Sequence, residues 1–239
     1  MNAISQHIYA DDFIIDLPLD SKFMANPYHE FPFLIIRDFL SKSICQEIIR
    51  YTQLTKETKK AEVKQLINFS VVNSTIKNSI RNSKLYKLPS HYEEHYSNQF
   101  KLHQATIEMF FSTAITASTP IQAIEYTKGS FYIKHADDSN ELVNEKGETV
   151  GFVQVAPERK LSSVLFLSSH VSQQDDATDF NGGELTFNYL CDKDGNTYSL
   201  KAKAGDIIIF PSNPIFSHEV RPITDGYRLT LVQWHNAII

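Results

Sequence analysis

A chain of 239 residues with 42% hydrophobic and 12% aromatic content can bury a sizeable core, as one large domain or two small ones, and reads as a folded globular protein. Its formal charge of -5 and pI near 6.0 disfavour nucleic acid and anionic membrane as main partners, because both reward a basic face. Cys45 and Cys191 are its only cysteines, too few and too distant in sequence to suggest a disulfide framework or a thiolate metal site, so a reducing cytoplasm is the expected location.

The opening MNAISQHIYADDFIIDLPLD lacks a basic start followed by an apolar run, and no stretch is long enough to span a bilayer, so neither export nor membrane insertion is expected. Residues 33–36 (FLII) read as a short strand. The turn DFLSKS then offers Ser41 or Ser43 as the N-cap of a helix, ICQEIIRYTQL, in which Ile44, Ile48 and Tyr51 share a face. Residues 55–90 are polar and carry no clear period. In HYSNQFKLHQATIEMFFSTAI, apolar residues at Phe100, Ile107, Phe110 and Phe111 suit a helix packed on one side. Residues 1–119 are therefore expected to be mostly helical and to support the C-terminal half.

From about residue 120 the texture changes to short β-branched and aromatic runs punctuated by Gly, Pro and Asn: IQAIEY, SFYIKH, SSVLFLSS, GELTFNYL, TYSLKA, DIIIFP, FSHEVRP and YRLTLVQWH. This spacing predicts a β-sandwich or barrel of the jelly-roll kind over residues 120–239. The whole is an α+β chain, mainly β: a double-stranded β-helix (jelly-roll, cupin-like) core with the helical part packed on it as one structural unit. There is no internal repeat. Two polar connections, residues 138–158 and 169–181, read as loops holding at most small hairpins, and loops of that length tend to carry function.

His135 and Asp137 stand two residues apart in and after SFYIKH. On a regular strand such residues share a face, roughly 6 to 7 Å apart at the backbone, so an imidazole and a carboxylate could converge on one ion. An ordinary polar pair on a wet strand face is the plain alternative. A facial triad of two His and one carboxylate holds Fe(II) and leaves the opposite positions open, but it needs a second His. His218 is the best placed of the nine because it lies on a later strand, with His170 and His235 as rivals. A separate segment, HYEEH, sets His91, Glu94 and His95 in the H-x-x-E-H order of inverted zinc metallopeptidases. Against it, the third ligand should come from a further helix, and this chain turns into strands.

The ordered set IQAIEYTKGSFYIKHAD, RKLSSVLFLSS, FNGGELTF and KAGDIIIFPSNPIFSHEVRPITDGYRLTLVQWH resembles the prolyl-4-hydroxylase-type 2-oxoglutarate and Fe(II)-dependent oxygenases, from about Phe33 to Trp234. The resemblance implies that His135, Asp137 and His218 bind iron. It implies that Arg228, ten residues after His218, receives the distal carboxylate of 2-oxoglutarate, a role that suits a guanidinium fork. Tyr126 matches a tyrosine that donates to the same carboxylate, and Thr230, on the strand face of Arg228, adds a hydroxyl. Tyr132 is expected on the face opposite His135 if the strand is regular.

Also implied are Fe(II), 2-oxoglutarate and O2 as cofactor and cosubstrates, with ascorbate as an optional addition. The reaction would be oxidative decarboxylation to succinate and carbon dioxide coupled to hydroxylation of a C–H bond. Related halogenases have a small residue in place of the carboxylate, so Asp137 points to hydroxylation. The substrate would be a prolyl or other amino-acid, peptide or small-metabolite molecule, chosen by the loops at the barrel mouth. A jelly-roll module that binds metal or a small acid without turnover is the reading from another class. Trp234 is expected in the core, Gly182 and Gly183 in a tight turn, and Asp175, Asp176 and Asp179 in a solvated acidic loop.

Overall fold

The computed structural model describes residues 1–20, 22–55, 58–60, 63–67, 71–75, 80–172 and 178–238. Thirteen of its strands matter for the site: β1 (Leu34–Ile36), β2 (Lys84–Tyr86), β3 (Gln122–Thr127), β4 (Phe131–His135), β5 (Ser139–Val143), β6 (Thr149–Gln154), β7 (Leu161–Phe166), β8 (Phe180–Gly182), β9 (Leu185–Cys191), β10 (Thr197–Leu200), β11 (Ile207–Pro211), β12 (His218–Val220) and β13 (Ile223–Ile238). Two large antiparallel sheets result, with β5 and β6 forming a separate hairpin. The larger runs β1-β11-β7-β13-β3-β2 and ends on Lys59–Lys60, with β8 and Ala114–Ser118 also pairing with β13. The smaller runs from Asn2–Ala3 through Tyr9–Ala10 to β9, β12, β4 and Arg81–Asn82, with β10 on β9.

Alternation of side chains gives the larger sheet two faces with different duties. Val164 and Phe166 of β7, and Ile208 and Phe210 of β11, point inward and pack with Phe187 of the smaller sheet. Leu161, Leu165, Ile207, Ile209, Leu229 and Leu231 point outward into a second core. Helices α1 (Lys42–Leu54) and α2 (Ser90–Phe111) cover that outer face. Ser41 caps α1 by accepting from the Ile44 N–H, and Cys45, Ile48 and Ile49 are buried. From α2, Tyr96, Phe100, Ile107 and Phe111 enter the same core.

A polar seam runs through it: the Tyr96 hydroxyl lies 2.9 Å from Ser163 Oγ, which lies 2.9 Å from His235 Nε2, while His235 Nδ1 lies 2.7 Å from Ser118 Oγ. Phe100 stacks on the His235 ring at 4.4 Å. His235 is fully buried, and that burial pushes its pKa down to about 3, so the ring is neutral.

The N-terminal region departs from the mostly helical expectation. Besides α1, α2 and a short helix at Asp12–Asp16, it places strands in both sheets, including β1, β2, Tyr9–Ala10 and Arg81–Asn82. Strands of two or three residues carry no readable period, and their pairing comes from partners far along the chain. Residues 138–158 hold the hairpin β5–β6. Among the described residues, no helix is long and apolar enough to cross a membrane.

Candidate metal centre and its cleft

His135 and His218 face each other as Cα partners where β4 pairs with β12. The β4 strand ends at His135, so Asp137 reaches the site from the bend beyond it rather than from a regular strand face. Ligand-capable atoms of His135, Asp137 and His218 lie within 4.8 Å of one another, the only such group of three among the described residues. His135 Nε2 is 3.8 Å from Asp137 Oδ1, and His218 Nε2 is 3.9 Å from Asp137 Oδ2.

Both rings are held in the orientation a metal requires. His135 Nδ1 lies 2.9 Å from the Ile133 carbonyl oxygen and His218 Nδ1 lies 3.0 Å from that of Phe216, so each Nδ1 carries the proton and donates it, leaving each Nε2 lone pair turned to the centre. Asp137 is held as firmly: Ser162 Oγ donates to its Oδ2 at 2.6 Å, and Arg159 donates to its backbone carbonyl at 3.0 Å. Burial works to raise the Asp137 carboxyl, but His218, His135, the Ser162 hydroxyl and Arg159 outweigh it and hold it below the ordinary range. Burial, and then the neighbouring His218, push the His135 pKa down to about 3. With each Nε2 turned inward beside the Asp137 carboxylate, the centre presents two imidazoles and a carboxylate, the donor set suited to Fe(II) with open positions.

A cleft of about 990 Å³ opens beside these three residues, between the two sheets and the β5–β6 hairpin. Arg228, Thr230 and Tyr126 line it. Register places Tyr126 directly across from Arg228 and Ile124 across from Thr230. Arg228 is 1% exposed, its Nε has no hydrogen-bond partner, and its guanidinium sits among the rings of Tyr126 (5.0 Å), Phe166 (5.4 Å) and Phe180 (5.8 Å). Burial lowers its pKa to about 10, which leaves it charged at neutral pH. No carboxylate pairs with it among the described residues. A desolvated cation without a counter-ion in a cleft is a receptor for an anion.

Gly183 makes that placement possible. Its φ is +64°, and a Cβ there would come within 2.1 Å of Ile223 Cδ1 and 3.2 Å of Arg228 Cδ. Gly182 and Gly183 both have positive φ, as a tight turn into β9 requires.

Other expectations need correction. Tyr132 is not opposite His135: a register shift between the two residues brings the rings together, stacked at 3.6 Å. Trp234 is not simply core, since it lines the cleft with the Arg159 guanidinium 3.9 Å over its ring. Of the rival ligands, His235 belongs to the outer core, and His170 pairs with Glu184 at 3.1 Å. His91, Glu94 and His95 are exposed on the first turns of α2, with no third ligand beside them among the described residues. Asp175 and Asp176 lie outside the described residues. Ser162 and Arg159 escaped sequence reasoning; the signal for the first was a pair of hydroxyls, Ser162 and Ser163, in an otherwise apolar strand.

The family model of the 2OG-Fe(II) oxygenase superfamily matches residues 121–236. A PKHD-type hydroxylase of Gluconacetobacter diazotrophicus is 28% identical over 129 residues, 52% of this chain and 48% of that protein. Another, from Synechococcus sp., is 40% identical over 81 residues, 34% of this chain and 31% of that protein. The chain thus spans about half the length, or less, of these curated relatives. Among solved structures, a Pseudomonas putida prolyl-4-hydroxylase superposes with a TM-score of 0.58 at 18% identity, over 85% of this chain and 91% of that one. A viral collagen prolyl hydroxylase from Paramecium Bursaria Chlorella virus-1, solved as a 2OG complex, gives 0.54 at 14% identity over 93% and 99%. At these identities the structural similarity speaks for the fold, a jelly-roll core.

Proposed function

We propose that this chain, whose residues 121–236 match the family model of the 2OG-Fe(II) oxygenase superfamily, is a member of it and a hydroxylase that uses Fe(II), 2-oxoglutarate and O2 to oxidise a C–H bond of an amino-acid-type substrate, free or within a peptide. One observation carries this reading: a His-Asp-His donor set and a buried guanidinium without a protein partner share one cleft. A metal-storage or acid-binding module has no need of both.

When bound, the iron would let O2 serve as the oxidant, with 2-oxoglutarate supplying two of the electrons and leaving as succinate and carbon dioxide. The chain supplies positions and exclusion of water. His135 and His218 offer fixed Nε2 atoms, and Asp137 offers an ionised carboxylate that Ser162 keeps from rotating. Arg228 is the receptor for the distal carboxylate of 2-oxoglutarate, with Tyr126 and Thr230 supplying hydroxyls from the same wall. Phe166 and Phe180 close the back of that pocket, so the ion pair forms away from bulk water, where it is worth most.

The test is anaerobic. Fe(II) and then 2-oxoglutarate are added to the metal-free protein, and the weak visible charge-transfer band of the chelate is recorded for wild type, Asp137→Ala and Arg228→Ala. A band in wild type that is lost in Asp137→Ala and demands far more 2-oxoglutarate in Arg228→Ala supports the assignment, and succinate release then screens substrates. No band in wild type at any 2-oxoglutarate concentration refutes it.

A further inference from the structure

We propose that the substrate of this cleft carries a carboxylate, received by Arg81 inside and by Lys59 and Lys60 at the mouth; the inference rests on the hydroxylase reading above. The chain as a whole is acidic, at -5, yet six cationic side chains line the cleft against two carboxylates, Asp137 and Glu141. Each carboxylate is already engaged. Asp137 belongs to the metal centre, and Glu141 accepts from Lys134 at 2.6 Å and from Thr149. Two further cations have duties: Arg228 faces the cosubstrate pocket, and Arg159 donates to the Asp137 carbonyl. Three cations remain with no acid of their own among the described residues: Arg81, Lys59 and Lys60.

These three stand at the ends of the two sheets that flank the cleft, the larger ending on Lys59–Lys60 and the smaller on Arg81–Asn82. Lys59–Lys60 pairs with β2, and Arg81–Asn82, three residues before β2 begins, pairs with β4 through Tyr132↔Arg81. Arg81 is the decisive one. It is 7% exposed, its Nε donates to Ser83 Oγ at 2.8 Å, and its guanidinium lies 4.7 Å over the Tyr132 ring. Tyr132 in turn stacks on His135 at 3.6 Å. A fixed positive charge therefore stands one aromatic layer from the metal centre. Holding a guanidinium out of water without an anion is costly, and a substrate carboxylate removes that cost, whereas a neutral or basic substrate leaves it or adds repulsion. The lysines, exposed and on flexible stems, suit the capture of an approaching anion. A cleft of about 990 Å³ has room for a substrate beside 2-oxoglutarate.

The probes are a fluorescent peptide with one Pro flanked by Glu, the same peptide with Gln, the same with Lys, and free glutamate as competitor. Anisotropy is read anaerobically on the full chain loaded with Fe(II) and 2-oxoglutarate, whose charge-transfer band certifies the site. We expect the Glu peptide to bind about tenfold or more tighter than the Gln peptide, with the Lys peptide weakest and with affinity falling as salt rises. Arg81→Gln and, separately, the surface pair Lys59→Gln/Lys60→Gln should each shrink the Glu-over-Gln preference while the band persists. Competition by free glutamate assigns the carboxylate to a small acid; its failure to compete assigns it to a peptide. Equal binding of Glu and Gln peptides with no glutamate binding, or a preference untouched in the Lys59→Gln/Lys60→Gln variant and in a band-competent Arg81→Gln, overturns the proposal. Absence of the band in wild type instead defeats the hydroxylase reading beneath it.

Discussion

Replacing Ser162 by Ala removes a single oxygen from a fully buried site. That oxygen is the donor to Asp137 Oδ2, at 2.6 Å. A hydrogen bond to a charged group contributes about 1.5–3 kcal/mol, equivalent to roughly 10- to 150-fold in an equilibrium constant. The other hydroxyl partner of Ser162 is Ser212, whose Oγ lies 2.8 Å away, and among the described residues no hydrogen bond from the Ser212 hydroxyl to the Asp137 carboxylate is present. The vacated space is smaller than a water's share of liquid, about 30 Å³. Asp137 then rotates more freely and grips the metal less well, so Fe(II) affinity should fall about 10- to 100-fold. Anaerobic titration of the metal-free protein with Fe(II), or with Co(II) as a coloured substitute, measures this. Ser163→Ala is the control, because Ser163 points to the opposite face, toward Tyr96 and His235; it should weaken folding and spare the metal. Unchanged metal affinity in Ser162→Ala, or an equal loss in Ser163→Ala, refutes the reasoning.

Arg228→Lys keeps the charge but loses the fork, so 2-oxoglutarate affinity should drop about tenfold with Fe(II) affinity unchanged, read by titrating the charge-transfer band. Gly183→Ala places a Cβ at a φ of +64° and against Ile223, so urea denaturation should show a loss of about 1–3 kcal/mol, accompanied by weaker 2-oxoglutarate binding as Arg228 is displaced; unaltered stability would contradict the close packing. His235 is neutral in the fold, with a pKa of about 3 against an ordinary 6.5. The unfolded chain takes up that proton first, so this residue's share of stability is intact above about pH 6.5 and is lost as pH falls toward 3, by about 2 kcal/mol at pH 5. Denaturation curves at pH 7 and pH 5 should therefore diverge more for wild type than for His235→Gln; equal divergence would show that His235 is not the group responsible.

The β half of the chain was legible because most of its strands are long enough to show a period: all eight predicted runs contain strands, six of them within two residues at both ends, while SSVLFLSS overruns its strand by three residues and YRLTLVQWH falls short of β13 by four and three. Of the two N-cap candidates the sequence offered, Ser41 and Ser43, Ser41 caps α1. His135, Asp137 and His218 do meet, and Tyr126, Arg228 and Thr230 do line one wall. What escaped was whatever depends on a partner distant in sequence. The two- and three-residue strands of the first hundred residues exist only through pairing with the core. The shift that turns Tyr132 onto His135 is a property of the β4–β12 ladder, invisible in FYIKH alone. Arg81 stood in a stretch with no period, and its nearness to the metal centre comes from the register of a two-residue strand.

The strand β13 runs for sixteen residues without a break and borders β3, β7, β8 and Ala114–Ser118. Its alternate residues serve different masters: Leu229 and Leu231 anchor the helices, while Arg228, Thr230 and Val232 shape the cleft. A slip of one residue would exchange the two sets, driving a guanidinium under α2 and leucines toward the metal. Folding and function therefore share a single proofreading step. A chain that has buried its leucines correctly has, by the same act, aimed its arginine, and a mistake in either is rejected by both.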